Sequence, residues 1–249
     1  MRIFQGLYKI KEDFKWLFGY PIVDFFTDSC VNYDKYWEKR GRNSRPFLSK
    51  WQKKRAVFVL KSIEKGSTVL DLGCGDGILL KYLQEKAEIK GCGVDSSDKI
   101  LNQAKSIGVS TIKMNIIDID NIKSLSIFDY ITCFEIIEHL SCPEILLNCL
   151  KEKARKAIFF SIPNTGYYAH RLRLLFGKFP LQWAGHPGEH LRFWTLSDIK
   201  WWVKSLGFNI ESLELYEGFP ILNKIFPSLF AQGILLKIVD NNKVKNNAK

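Results

Sequence analysis

The segment Val69–Gly77 reads VLDLGCGDG and joins a short apolar run to three glycines spaced G-x-G-x-G. The apolar run predicts a buried strand, and the residues from Ile78 onward have the apolar spacing of a helix. Glycine permits a tight turn between the two and lets a ligand approach the backbone closely. This order predicts the first strand–turn–helix unit of an α/β domain, with a turn that either binds a ligand or is only a tight connection between strand and helix.

The same strand–turn–helix pattern repeats downstream. Short apolar runs predict strands at residues 68–72, 91–94, 110–114, 128–134, 157–162, 209–216 and 230–239. Helical spacing predicts helices at 46–63, 78–86, 99–106, 144–153 and 196–206, the last capped by Thr195 and ended by Gly207. Alternating strands and helices predict an α/β fold, a Rossmann-like seven-stranded mostly parallel sheet with helices on both faces.

Three segments lie outside this repeating pattern. Residues 1–45 are rich in aromatic side chains and predict a helical extension before the cofactor domain at 46–240. Residues 163–194 are too long for an ordinary connection, and they predict a lid or substrate segment inserted after the fifth strand. Residues 241–249 predict a basic, flexible tail.

The composition narrows the class of protein. Hydrophobic residues make up 46% and charged residues 25%, which is typical of a globular protein. No apolar run reaches the roughly 18 residues of a transmembrane helix, charges near Lys9 interrupt any signal-peptide core, and none of the six cysteines forms a C-x-x-C pair. We therefore expect a cytoplasmic protein with reduced cysteines. The net charge of +11 fits a generic basic surface, an anionic substrate, nucleic acid or an acidic membrane surface.

Polar residues end three of the predicted strands. Asp71 precedes the first glycine of the turn, where a carboxylate can hold the amino-acid end of a cofactor. Asp95 lies 22 residues beyond Gly73, about the spacing at which an acid reaches both ribose hydroxyls in Rossmann-like sites. Asn115 and Ile116 end the third strand and can bracket an adenine ring.

These residues resemble the class I methyltransferases that depend on S-adenosylmethionine (SAM), over roughly residues 45–240. The resemblance implies that the loop after the first strand shapes the methionine and sugar part of a SAM site, that an acid binds the ribose and that a further set borders the adenine or the methyl group. The residues implied for the methionine and sugar part are Asp71, Gly73, Gly75 and Gly77. The acid implied for the ribose is Asp95, and the further set is Ser96, Asn115, Ile116 and Phe134. The adenine position is often aspartate in this family, and here it is Asn115.

A nicotinamide dehydrogenase fits the glycine turn less well. Its G-x-G-x-x-G turn would place the third glycine at position 78, where this chain has Ile78. Asp76 would also repel a pyrophosphate at the start of the helix. SAM carries a sulfonium instead, so carboxylates near the turn are compatible with it.

The fourth predicted strand leads into Glu135, Glu138 and His139, an E-x-x-E-H segment beside the expected methyl group. It resembles the segment of ubiquinone-biosynthesis O-methyltransferases and small-RNA 2′-O-methyltransferases. We interpret His139, Glu138 and His190 as the catalytic residues, with His139 as the general base because imidazole titrates near neutrality. Two alternatives stay open. Glu135, Glu138 and His139 on one helical turn, with His186 or His190, could hold magnesium or manganese, or the segment could only orient the next helix.

Residues 161–177 and 189–195 are similar to methyltransferase-like proteins associated with methionine biosynthesis, which generally lack the E-x-x-E-H segment. Their aromatic and basic side chains either cover the sheet edge or contact the acceptor. The function we expect is methyl transfer from SAM to an oxygen of a small molecule or lipid precursor, with possible contact to an anionic surface. The alternatives are an RNA or glycan methyltransferase, for which the charge is the only argument, and a SAM-binding partner subunit without catalysis.

Overall fold

A seven-stranded sheet forms the centre of the computed structural model, which describes residues 2–20, 47–182 and 187–243. Its strands are β1 (Thr68–Leu72), β2 (Lys90–Asp95), β3 (Ser110–Lys113), β4 (Phe128–Phe134), β5 (Ala154–Pro163), β6 (Phe208–Tyr216) and β7 (Gly233–Asp240). The strand order is β3-β2-β1-β4-β5-β7-β6. Because β7 runs antiparallel to β5 and β6 while the other pairs are parallel, the predicted mostly parallel sheet is confirmed.

Helices cover both faces of this sheet. They are α1 (Arg2–Phe18), α2 (Lys50–Leu60), α3 (Ile78–Ala87), α4 (Asp98–Ser106), α5 (Ile119–Ser124), α6 (Pro143–Lys153), α7 (Tyr168–Leu175), α8 (Leu196–Ser205), α9 (Leu222–Ile225) and α10 (Pro227–Phe230). The bounds of α3, α4, α6 and α8 lie within one residue of the sequence predictions. At the start of α8, Thr195 and Asp198 exchange the side-chain and backbone hydrogen bonds of a capping box.

The core lies on both faces of the sheet, as a parallel sheet requires. Successive residues of β1 point to opposite sides, so Leu70 and Leu72 pack into one buried cluster while Val69 packs into the other. The first cluster contains α6 and α8, and the second contains α2, α3 and α4. Burial on both faces fixes the strand register and thereby the positions of the strand ends.

Some element bounds differ from the predictions. The strand predicted from residue 230 begins at Gly233, because Pro227 starts the short helix α10 that ends at Phe230. The helix predicted at 46–63 is shorter, spanning Lys50–Leu60, and residue 46 lies outside the described residues. Helix α5 was missed, since six residues are too few to show a helical period.

The segment predicted as an irregular lid, residues 163–194, contains helix α7. Asn164 anchors its start, donating from Nδ2 to the backbone oxygens of Ser228 (2.9 Å) and Ala231 (2.8 Å). Residues 183–186 lie outside the described residues, and a lid or substrate role stays a prediction.

The predicted tail begins in contact with the domain. Lys243 donates from Nζ to the backbone oxygens of Lys151 and Ala154, while residues 244–249 lie outside the described residues. Within the described parts of the chain, no helix has both the length and the apolar character needed to cross a bilayer.

Candidate active site

The candidate site lies at the carboxyl ends of β1, β2 and β4. Strand β1 is central, with β2 on one side and β4 on the other, so the connections leaving these strands diverge at this point. Ligands of open α/β sheets bind in the crevice that such a divergence creates. The glycine turn follows β1, Asp95 ends β2, and the E-x-x-E-H segment follows β4.

The turn after β1 requires its glycines. Gly73, Gly75 and Gly77 have φ values of 69°, 55° and 72°, in the left-handed region. A Cβ on Gly73 would lie 2.2 Å from Cδ1 of Ile136. The backbone N–H groups of Gly73 and Cys74 both donate to the oxygen of Val94, at 2.8 and 2.9 Å. The turn is therefore held against β2 and leaves no room for side chains at Gly73 and Gly77.

Asp95 links this turn to the end of β2. Its Oδ2 accepts the N–H of Gly75 and its Oδ1 accepts the N–H of Ser97, each at 3.1 Å. The side chain is buried. A carboxylate oxygen accepts more than one hydrogen bond, so a fixed Asp95 can still receive ribose hydroxyls.

Asp71 is buried at the end of β1. Burial raises its pKa from 3.8 to about 7, although a hydrogen bond donated by Thr132 Oγ1 (2.6 Å) opposes the shift. The charge of Asp95 raises the pKa further. A cation arriving beside Asp71 would favour the ionised carboxylate.

The predicted adenine residues follow β2 and β3 at the same edge. The N–H of Met114 donates to the oxygen of Asp95 (3.0 Å), which brings the residues after β3 beside the end of β2. Ser96 and Asn115 are exposed there, and Ile116 is half-buried against the core. Asn115 Oδ1 accepts the N–H of Ile117 at 3.1 Å, which makes that oxygen part of the turn itself.

Glu135 lies apart from the other two residues of its motif. It has a φ of 54° and precedes the short 3₁₀ helix Ile137–His139. Its Oε1 accepts from Ser161 Oγ (2.7 Å) and pairs with Nη2 of Arg55 (3.0 Å). The expectation that Glu135, Glu138 and His139 share one helical turn is therefore wrong, because Glu135 has a left-handed backbone conformation and lies outside the 3₁₀ helix that contains Glu138 and His139.

Arg55 of α2 is a site residue that the sequence did not indicate. Its Nε donates to the Tyr216 hydroxyl (3.0 Å), and its guanidinium lies 6.0 Å from the ring centre of Phe134. The side chain is only 12% exposed. It places a permanent positive charge beside the end of β4. The signal in the sequence is slight: one arginine just before the buried Ala56 of α2.

Glu138, His139 and His190 form a cluster beside β4. One ligand-type atom from each lies within 4.8 Å of the others, and the two imidazole ring centres are 4.7 Å apart. His139 Nδ1 lies at hydrogen-bond distance from the backbone oxygen of Glu189. The N–H groups of Leu191 and Arg192 donate to the backbone oxygen of Glu138, at 2.8 and 3.1 Å. His190 is thus fixed beside the motif, while His186 lies outside the described residues.

Glu138 is the least satisfied group of this cluster. It is 1% exposed, and neither carboxylate oxygen has a hydrogen-bond partner among the described residues. Burial, and next the charge of Glu135, raise the pKa of Glu138 well above its usual value. A buried acid of this kind occurs preferentially at functional sites.

Similarity to known proteins agrees with this geometry. A family model described as a methyltransferase domain matches residues 36–213. The ubiquinone biosynthesis O-methyltransferase of Coxiella burnetii (strain RSA 331 / Henzerling II) is 28% identical over 169 residues, covering 64% of this chain and 71% of the relative. The enzyme of the same name from Azoarcus sp. (strain BH72) is 26% identical over 157 residues, covering 59% and 66%.

Solved structures share the fold. A SAM-dependent methyltransferase from Archaeoglobus fulgidus has a TM-score of 0.60 at 19% identity, covering 83% of this chain and 99% of its own. Magnesium protoporphyrin IX methyltransferase from Synechocystis PCC 6803, with bound S-adenosylhomocysteine (SAH), has a TM-score of 0.57 at 15% identity, covering 96% and 97%. The chain belongs to the methyltransferase-domain family and is a class I SAM-dependent methyltransferase.

Proposed function

We propose that this methyltransferase acts on a hydroxyl oxygen of a small molecule or lipid precursor, with His139 as the general base. The observation that carries this proposal is the cluster of Glu138, His139 and His190 at the carboxyl end of β4. A hydroxyl acceptor needs a group that removes its proton. An imidazole is suited to that task because its ordinary pKa lies near neutral pH.

The cofactor would lie across the ends of β1, β2 and β4. Asp95 would accept the ribose hydroxyls, and Asp71 would face the amino group of the methionine part. Arg55 would attract the carboxylate of that part, since a guanidinium has five N–H donors. The turn glycines would allow close approach, Phe134 would border the methyl end, and the adenine would lie among Ser96, Asn115 and Ile116.

His139 has a defined tautomer in this arrangement. A backbone oxygen can only accept a hydrogen bond, so Nδ1 donates to Glu189 and the neutral ring carries its lone pair on Nε2. Nε2 would take the proton of the acceptor hydroxyl while the oxygen attacks the methyl carbon. SAM, when bound, would supply the methyl group from its sulfonium and leave as SAH. Glu138 and His190 would orient the hydroxyl, because methyl transfer depends mainly on an in-line approach.

The relatives support an oxygen acceptor, since those reported above are O-methyltransferases by name. An RNA or glycan acceptor remains the alternative, on the basic charge alone. RNA binding would fall steeply as salt is raised, because phosphate contacts release counterions, whereas binding of a small neutral acceptor would change little.

A divalent metal is the second possibility for the same cluster. One carboxylate and two imidazoles suit manganese or another transition ion better than magnesium, which prefers oxygen ligands. The three residues would hold such an ion and it would weaken the O–H bond of the acceptor. Glu135, committed to Arg55 and Ser161, would not be a ligand. Activity that survives a chelator would exclude this alternative.

The test is transfer of labelled methyl from SAM to a panel of phenols, catechols and prenylated phenols, with amine and thiol acceptors as comparison. We expect product on oxygen acceptors, and a loss of about 10²-fold or more in kcat for His139→Gln. SAM affinity should be unchanged in that variant. Glu152→Gln, which changes an exposed carboxyl on α6, serves as the control and should keep full activity.

Two results would contradict the proposal. Methylation of amines or thiols alone would show that the acceptor atom is not oxygen. Full activity of His139→Gln would show that His139 is not the general base. Loss of both activity and SAM binding in His139→Gln would make this histidine part of the cofactor site instead.

A further inference from the structure

Exposed apolar side chains concentrate on one part of the surface. Fourteen of the twenty-one large apolar side chains that are exposed among the described residues fall in four short segments. They are Tyr8, Ile10, Phe14 and Tyr20; Leu172, Leu174, Leu175, Phe176 and Phe179; Leu191 and Phe193; and Ile221, Ile225 and Phe226. We call these residues the apolar face. Scattered exposed residues are ordinary, but a cluster of this size marks an interaction site.

The segments of the apolar face touch one another. Asp13 of α1 accepts hydrogen bonds from the hydroxyls of Tyr167 (2.8 Å) and Tyr168 (2.7 Å), at the start of α7. The Tyr168 ring lies 6.2 Å from that of Phe219, just before α9. The rings of Phe179 and Phe193 are 5.1 Å apart, which joins the end of α7 to the segment before α8. The four segments therefore pack against one another in one region of the molecule.

Helix α1 presents a mixed apolar and basic side to solvent. At about 100° per residue, Tyr8, Ile10, Lys11, Phe14 and Lys15 fall within one half of its circumference, and all but one of the described side chains on that half are exposed. Gly6 and Asp13, on the other half, face Phe219 and α7. An amphipathic helix with aromatic and lysine side chains is typical of peptides that lie in a membrane interface.

Basic residues outnumber acidic ones in the segments of this surface, although α1 also carries Glu12 and Asp13. Residues 164–182 contain Arg171, Arg173 and Lys178 and no acidic residue, and residues 218–232 contain Lys224 and no acidic residue. Lys178 lies over the ring of Tyr20, 4.6 Å from its centre. Arg173 is buried beneath this surface, and of these four basic residues only Arg171, Lys178 and Lys224 reach solvent. A second copy of the chain docked through the same face would bring like charges together. Anionic lipid headgroups would instead complement the basic side chains while acyl chains receive the apolar ones.

We propose that the apolar face docks on the surface of an anionic phospholipid bilayer. The face adjoins the candidate active site: Ser161 of β5 binds Glu135, and Asn164, three residues later, begins the segment that carries α7. A lipid precursor held in the bilayer would thus meet the site from the membrane side, a consequence that rests on the proposed function. The docking itself does not depend on it.

The test is co-sedimentation of the full chain with vesicles, without cofactor or acceptor, so that it is independent of methyl transfer. Vesicles of phosphatidylcholine alone are compared with vesicles that also contain phosphatidylglycerol. We expect at least about tenfold tighter binding to the anionic vesicles, weakened by salt. Leu175→Ser with Phe176→Ser should lower binding about tenfold, and Lys11→Glu with Lys224→Glu should remove the preference for anionic lipid.

Matched controls lie at the opposite edge of the sheet. Ile127→Ser changes a side chain that is 50% exposed, close to the 52% of Phe176, at the amino end of β4. Lys90→Glu with Lys105→Glu makes the same charge change on exposed lysines away from the apolar face. Both should bind vesicles as the parent does. Circular dichroism checks that each variant is folded.

Three outcomes would overturn the proposal. The first is no binding of the parent to anionic vesicles, and the second is equal loss of binding in the face variants and the controls. The third is a concentration-dependent dimer that the face variants abolish, in the absence of vesicle binding, which would assign the face to a second copy.

Discussion

At the scale of single residues, a comparison of two glycines with similar φ values distinguishes the cost of backbone strain from the cost of a steric overlap. Gly66 and Gly73 have φ values of 76° and 69°, but a Cβ on Gly66 would meet nothing within 4 Å, whereas one on Gly73 would overlap Ile136. We expect Gly66→Ala to lower the free energy of unfolding by about 1 kcal/mol through strain alone. Gly73→Ala should lower it by about 3 kcal/mol, because overpacking is added, and should abolish SAM binding.

Urea unfolding and calorimetric titration with SAM measure these two effects. Equal losses of stability in the two variants would show that Ile136 moves aside at little cost. If Gly73→Ala bound SAM as tightly as the parent, the turn would not be part of the cofactor site.

If Asp71 faces the amino group of SAM, as proposed, its buried carboxyl should make SAM binding depend on pH. Its folded-state pKa, about 7, lies above the ordinary 3.8, so the folded protein holds a proton that the unfolded chain releases. The stability from this proton is complete below pH 3.8 and is lost as the pH rises through about 7. The ammonium group of SAM favours the ionised form. SAM affinity should therefore rise as pH increases from about 6 to 8, with release of a proton.

Titration in buffers of different ionisation enthalpy measures that proton. Asp71→Asn should bind SAM weakly and without pH dependence over this range. Thr132→Val, which removes the hydrogen bond to the carboxylate, should shift the rise to higher pH. Proton uptake, or a pH dependence that Asp71→Asn retains, would contradict this account.

At the scale of elements, local sequence determines some structures and tertiary contacts determine others. The turn at 73–77 and the start of α8 were predictable, because glycine spacing and a capping residue indicate the local backbone conformation. Strand β7 was placed three residues too early, since Phe230 has the same apolar character in a short helix as in a strand. Helix α7 escaped prediction because its position depends on α1 and on the contacts of Asn164 with Ser228 and Ala231, and these partners are distant in sequence.

One carboxylate makes two of the hydrogen bonds that hold α1 on the segment of α7, and Arg173 adds bonds to the backbone oxygens of Leu17 and Gly19. Asp13 accepts from both tyrosine hydroxyls, so Asp13→Ala leaves two half-buried hydroxyls without that acceptor. We expect hydrogen exchange of the α1 amides to become about tenfold faster or more in this variant. Exchange in β1 and β4 should not change.

Lys11→Ala, on the exposed side of α1, is the control and should exchange as the parent does. Asp13→Asn, which keeps one acceptor oxygen, should give an intermediate rate. Unchanged exchange in Asp13→Ala would show that the apolar contacts and the Arg173 hydrogen bonds hold α1 without this carboxylate.

At the scale of the whole molecule, the arrangement of residues at the ends of β1 and β2 was easier to predict from sequence than the arrangement at the end of β4. Asp71 and Asp95 end neighbouring parallel strands, so their proximity follows from topology. Arg55 comes from a helix before the first strand and meets Tyr216 across 161 residues. No local pattern reports such a contact. His190 reaches His139 through a segment whose preceding residues, 183–186, lie outside the described structure.

Cofactor binding should stabilise the entire domain, because the glycine turn and Asp95 are hydrogen-bonded into the sheet that carries both core clusters. A ligand at 100 times its Kd adds about 2.7 kcal/mol to the free energy of unfolding. For a chain of this size that corresponds to an increase in Tm of about 5 to 10 °C. Differential scanning fluorimetry with SAH measures it. Asp95→Ala should lose the increase, while Glu85→Ala, on the exposed side of α3, should keep it. An equal increase in all three proteins would place SAH elsewhere, and none in the parent would mean that the turn does not hold the cofactor.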